Sequence, residues 1–181
     1  AVTREIPFSK HLYIEQDEFK ENANRKFFRL TLGKEVRLKN AYIIKGESVV
    51  KDNMGDIVEI ICSYDPDSKS GSGSEASQRK VKGTLHWVSQ KEAVPILVRN
   101  YDRLFVHPSP DKGEEDFLNH LNPDSFSEAK AFAEPHIRTT VVGEPCQFQR
   151  KGYYVLDPDS EKYGQLIFNK TVGLRDNWSK P

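Results

Sequence analysis

SVVKDNMGDIVEIICSY, Ser48 to Tyr64, is two β-branched runs joined at Asp52-Asn53-Met54-Gly55. A turn-forming tetrapeptide closed by Gly between two such runs predicts a β-hairpin. Outward from it the strand signal repeats. In Val81 to Ser89 (VKGTLHWVS), Val81, Gly83, Leu85 and Trp87 alternate with Lys82, Thr84 and His86, the period of a half-buried strand. Gly83 inside that run marks a bulge or close packing. Pro95 to Val106 predicts a further strand, with Tyr101, Leu104 and Phe105 toward the core, and Gln147 to Leu156 and Gln165 to Leu174 add two more. Short helices are expected at Asp17 to Arg25, Glu114 to Leu121 and Ser125 to Phe132. Many short strands with few helices predict an all-β architecture of barrels or sandwiches. Two small barrels, one inserted into the other, would give a first strand at Arg4 to Tyr13 its partners from the far end.

The 181 residues suffice for one ordinary domain or two small ones. With 30 % charged and 36 % hydrophobic residues, the composition is that of a globular chain with a wet surface, and it holds no apolar run of about 18 residues to cross a membrane. The chain opens on Ala1 and is read as processed or as a fragment. Cys62 and Cys146 fit no metal-ligand spacing and are expected as free thiols of a cytoplasmic protein. Lys plus Arg and Asp plus Glu both total 27, which argues against a general polyanion binder. Yet from Lys20 to Lys51 nine basic residues face only three acids, a local basic face that suits a specific partner.

Catalytic and metal sites find no support. The five histidines are dispersed and form no ligand pair, and neither a Gly-X-Ser-X-Gly elbow nor a phosphate-binding loop occurs. The two Asp-Pro-Asp runs, Asp65 to Asp67 and Asp157 to Asp159, read as turn formers. Asp65 to Gln78 (DPDSKSGSGSEASQ) reads as a flexible surface loop, its Gly-X-Gly-X-X-Ala match lacking the βαβ frame of a dinucleotide site. What remains is a binding module.

Two clusters suit nucleic-acid reading. In Lys34 to Asn40 (KEVRLKN), Val36 and Leu38 alternate with Arg37 and Lys39. On a strand this anchors two apolar residues inward and sends both cations outward, roughly 7 Å apart. Gln147 to Arg150 (QFQR) offers amide and guanidinium groups around an anchoring Phe148. Unstacked bases are read along their edges by such groups and stacked on aromatic or Arg planes, a combination that Phe28 and Arg29 supply. Alternating charges are also the ordinary solvated face of a strand, and a protein-interaction barrel without an RNA role fits the same pattern.

Six stretches, IPFSKHLYI (Ile6 to Ile14), RLTLGKEVRLKNAYIIK (Arg29 to Lys45), KVKGTLHWVS (Lys80 to Ser89), YDRLF (Tyr101 to Phe105), FAEP (Phe132 to Pro135) and FNKTVGLRDNW (Phe168 to Trp178), resemble in order the C-terminal half of bacterial-type glutaminyl-tRNA synthetases. The resemblance implies two ribosomal L25-like barrels, a distal one over 17–107 and a proximal one from 1–16 plus 108–181. It implies that Arg37 and Lys39 read the first anticodon base, Arg29 the third, and Gln147 and Arg150 the middle one, with Lys26 and Arg175 in support. Lys39 stands where the family commonly has Arg, which removes a bidentate fork; Phe28 replaces a Lys, and Gln149 an acid. A further Arg of the middle-base pocket would lie upstream. The implied partners are the anticodon loop of tRNA(Gln) and a catalytic domain in cis, in a monomer. The parent would ligate glutamine using ATP and Mg2+, and this piece would hold no cofactor. Alternatives are the same module of a non-bacterial-type glutamyl enzyme and a stand-alone ribosomal-RNA-binding barrel.

Overall fold

A computed structural model describes residues 3–174. It forms two compact units, one of Phe8–Gln90 and one of the segment up to Pro7 with that from Lys91 onward. These seams lie earlier than the expected 17 and 107. Phe8–Gln90 takes in the short strand before 17, and the strand ending near residue 101 belongs to the other unit's sheet.

The unit Phe8–Gln90 contains β1 (Leu12–Tyr13), β2 (Glu35–Leu38), β3 (Ile43–Lys51), β4 (Ile57–Asp65), α1 (Glu75–Gln78), β5 (Thr84–Leu85) and β6 (Val88–Ser89). Its sheet runs β4-β3-β2-β5, and β1 pairs with β6 alone. The predicted hairpin is β3–β4. The Asp52 carboxylate accepts the N–H groups of Met54 and Asp56, both at 2.9 Å, and Gly55 supplies the left-handed residue at φ 89°. Val36 and Leu38 of β2 are buried with Leu30, Ile43 and Leu85.

The second unit contains β7 (Val94–Tyr101), β8 (Phe126–Ala133), β9 (Pro145–Phe148), β10 (Gly152–Leu156), α2 (Ser160–Tyr163) and β11 (Ile167–Val172). The sheet order is β8-β7-β11-β10-β9, with β7 and β11 parallel. Val94, Ile96 and Val98, every second residue of β7, share the core with Tyr154, Leu156 and Phe168. Phe148 closes it, its ring stacked 4.3 Å from that of Tyr154.

The strand-rich reading holds, and helices are few and short. Among the described residues neither ladder closes into a ring, so the strands form open sheets. The outer edge of the second sheet, β9, opens on Pro145, which has no N–H to offer a further strand. Three details differ from expectation. Where a helix is expected at Ser125 to Phe132 the chain forms β8, Phe126–Ala133, because it pairs with β7 along its whole length. The two other helical stretches shrink to single 3-10 turns, Gln16–Glu18 and Phe117–His120. Tyr101 and Leu104 are more than half exposed, since the buried alternation of β7 ends at Val98.

One element occurs twice. In β2–β3 the partners are Glu35 with Lys45, Val36 with Ile44 and Arg37 with Ile43. In β9–β10 they are Pro145 with Val155, Cys146 with Tyr154 and Gln147 with Tyr153, at the same spacing. Each pair is preceded by a left-handed glycine, Gly33 or Gly143, and turns through a left-handed residue, Asn40 or Arg150. The Asp-Pro-Asp-Ser turn also recurs. Asp65 accepts the N–H of Asp67 at 3.0 Å, and Asp157 that of Asp159 at 2.8 Å. The serine four residues in, Ser68 or Ser160, accepts the first N–H of a neighbouring strand, from Ile43 at 2.8 Å or Ile167 at 3.0 Å. An arginine closes each turn, Arg79 on Asp65 and Arg99 on Asp157, both at 3.0 Å.

Hydrogen bonds from the Asn169 amide and the Asp159 N–H, with Arg99 beside it, hold the Asp157 carboxyl below the usual carboxylate range. A depressed folded-state pKa contributes stability that is present above the unfolded value and is lost as pH falls through the folded one. Asp157→Asn is therefore expected to destabilise the protein by about 2 kcal/mol at pH 7. In urea denaturation the deficit should narrow once pH drops below the ordinary Asp range.

Candidate nucleic-acid interface

Basic and aromatic side chains meet in a cleft of about 390 Å³ within the unit Phe8–Gln90. That is a size typical of small-ligand clefts, which run from about 300 to 1,000 Å³. Arg25, Arg29, Lys34 and Lys82 line it beside Phe27 and Phe28, with Glu35 the acid among its lining residues. Phe28 is 48 % exposed. The Lys82 ammonium stands 5.8 Å from its ring centre, and Lys20 stands 5.3 Å from that of Phe27. An exposed aromatic face ringed by cations offers stacking and anion neutralisation in one place.

Arg29 is anchored from behind. Its Nε lies 2.9 Å from a carboxylate oxygen of Glu18, a residue only 6 % exposed, and its Nη1 donates to the Phe28 carbonyl at 3.3 Å. A planar guanidinium held through its inner edge is pre-oriented, which lowers the entropy lost on binding. Lys26 is exposed on the same loop, its N–H accepted by the Asn24 side chain at 3.0 Å.

The alternation in β2 is as expected for Val36 and Leu38, and Lys39 follows in an exposed turn. That turn is clamped by backbone: the Lys39 N–H donates to the Leu85 carbonyl at 2.8 Å, and the Lys39 carbonyl accepts the Trp87 indole at 3.0 Å. Arg37 is half-buried and directed at the 66–79 loop. It donates to the Ser68, Ser77 and Arg79 carbonyls and to the Ser70 hydroxyl, at 2.9 to 3.1 Å. The loop read as flexible is thus stitched down along its length, and it carries α1 with Ser74 as its N-cap.

Gln147 is exposed on β9, and Arg150 is exposed in the turn to β10 at φ 65°. A left-handed arginine is an uncommon choice where Asn or Gly sits at little cost. Arg175 lies outside the described residues. The residues expected to read the first and third bases therefore share one unit, and the expected middle-base pair lies on the repeated element of the other.

Lys34, Arg25 and Lys82 carry no binding motif in the sequence, and it is the fold that brings them to the cleft. The period-two pattern around Gly83 was the available signal for Lys82. Among the described residues no group of three or more His, Cys, Asp or Glu is placed to hold a metal, and no helix is long and apolar enough to cross a membrane.

Basic and aromatic side chains thus line a cleft in the unit Phe8–Gln90, and the strand–turn element found there recurs in the other unit with an exposed amide and an exposed arginine. The family model described as tRNA synthetases class I (E and Q), anti-codon binding domain, matches residues 1–65, and a second of the same description matches 84–157. The chain belongs to this family of anticodon-binding domains. It is 52 % identical to a glutamine–tRNA ligase of Rhodopirellula baltica over 182 residues, 99 % of this chain and 30 % of that protein. Glutamine–tRNA ligases of Proteus mirabilis and Salmonella newport are 49 % and 48 % identical over 178 residues, 98 % of this chain and 31 % and 32 % of theirs. The chain thus spans about a third of the length of the curated relatives it matches.

Gly83 sets the back wall of the cleft. A Cβ there would stand 2.6 Å from the Phe28 carbonyl oxygen and 3.0 Å from Val36 Cγ1. Gly83→Ala is expected to cost about 1–3 kcal/mol of stability and to shift Phe28, read by denaturant titration and by the NMR shifts of the Phe28 ring.

Proposed function

We propose that this chain reads the glutamine anticodon on behalf of a glutamine–tRNA ligase. The observation that carries the reading is the match of nearly the whole chain, at about half identity, to about a third of the length of several glutamine–tRNA ligases. The geometry supports it. The unit Phe8–Gln90 takes the first base beside Lys39 and Arg37, and the third in the cleft of Phe28 and Arg29, with Lys26 exposed on the same loop. The other unit takes the middle base at Gln147 and Arg150. Arg175 supports a pocket or the RNA backbone. The former unit is the distal anticodon-binding module and the latter the proximal one.

An amide such as Gln147 both donates and accepts, which matches the edge of uracil. Cations such as Arg29 and Lys26 meet guanine acceptors or phosphate. A lysine at 39 supplies a point charge rather than a fork, so selection of the first base is weaker than an arginine would give. Glutamine, ATP and Mg2+ are handled by the catalytic domain of the whole enzyme. The present piece contributes specificity and no chemistry, as a single copy in the cytoplasm.

Titration with a fluorescent stem-loop carrying the glutamine anticodon, beside one with its middle uracil replaced, tests the reading at fixed salt. A preference of about 1 kcal/mol or more for the native loop is expected, and Gln147→Ala should erase it. Equal affinity for both loops would count against base reading by this chain.

A further inference from the structure

Arg37 presents an inconsistency with direct base reading that its surroundings resolve. A guanidinium has five N–H groups in a fixed plane, four of them on its two terminal nitrogens. Here Nη1 donates to the Ser68 carbonyl and the Ser70 hydroxyl, at 2.9 and 3.1 Å. Nη2 donates to the Ser77 and Arg79 carbonyls, at 3.0 and 3.1 Å. An end-on bidentate approach to a base edge, through both terminal nitrogens, would break at least two of these bonds, and a side-on approach through Nε at least one, each leaving a loop acceptor unpaired.

The loop that Arg37 gathers is tied to the turn carrying Lys39. Ser70 donates to the Ala41 carbonyl twice, through its N–H at 2.9 Å and its hydroxyl at 2.8 Å. Its start is fastened by Ser68, whose hydroxyl donates to the Asp65 carbonyl at 2.6 Å and accepts the Ile43 N–H at 2.8 Å. Its end is fastened by Arg79, which pairs with Asp65 at 3.0 Å and with Glu35. Between these anchors run Ser72, Gly71 and Gly73, the glycines at φ 81° with open space where a Cβ would be. Arg37 reaches from β2 to both the start of the loop, at Ser68 and Ser70, and its end, at Ser77 and Arg79.

We propose that Arg37 is a positioning residue: it fastens the 68–79 loop beside Lys39 as one wall of the first-base site, and selects that base through the loop without touching it. This deepens the anticodon reading and rests on it.

The test uses stem-loops with each of the four bases at the first anticodon position, and a set varied at the third. Amide hydrogen exchange over residues 68–79 is followed in parallel. Arg37→Ala and Ser70→Ala are both expected to speed exchange in the loop and to cut first-base preference about fivefold or more, with third-base preference retained as proof of folding. Arg37→Lys should not rescue, because three donors on one ammonium do not span four acceptors at both ends of a loop. First-base preference that survives Ser70→Ala despite a loosened loop, or that Arg37→Lys restores, would overturn the proposal in favour of a direct contact or a charge effect. Loss of preference at both positions in the unmutated protein would instead overturn the anticodon reading, and this proposal with it.

Discussion

Burial of Val36 and Leu38 on the inner side of β2 is the constraint on which the rest of the Phe8–Gln90 site depends. Side chains of a strand alternate strictly, so two anchored apolar residues dictate that Arg37 leaves the core. A slip of one residue would place a guanidinium in the core and expose two of its most buried side chains. β3 and β5 flank β2, and the close approach at Gly83 lets the chain before β5 pack on Phe28. The cleft and the Lys39 turn are consequences of this one packed strand.

The second unit uses the same device with different chemistry. Cys146 and Phe148 take the inner places on β9, and Gln147 takes the outer one. The left-handed turn residue is Asn in one copy and Arg in the other. A shared backbone register thus presents cations in one case and an amide with a guanidinium in the other. A repeated scaffold whose outward residues differ between copies presents different donor and acceptor patterns from the same backbone positions, since the strand supplies position and the side chain supplies the chemistry.

Several features were legible along the chain because they depend on near neighbours. The β3–β4 hairpin, the role of both Asp-Pro-Asp runs and the close packing at Gly83 are local matters of turn geometry and side-chain size. The misread segments are those where distant partners overrode local preference. Ser125 to Phe132 carries Glu, Ala and Lys, which favour helix, yet β7 offers it a full ladder of hydrogen bonds. Asp65 to Gln78 has the composition of a mobile loop, but Arg37 and Ala41, far earlier in the chain, supply the bonds that secure it.

By itself the sequence determined that this chain is strand-rich, which residues of β2 and β9 face inward, and, by the order of its motifs, which family it belongs to. Those properties rest on alternation and on short runs, where cause and effect lie within a few residues. Only the tertiary structure decided that Phe28 joins Lys82 and Arg29 in one cleft, and that Arg37 spends its four terminal N–H groups on a loop. A guanidinium looks the same in sequence whether its donors face solvent or carbonyls. The difference is set by which distant backbone the fold brings within hydrogen-bonding reach.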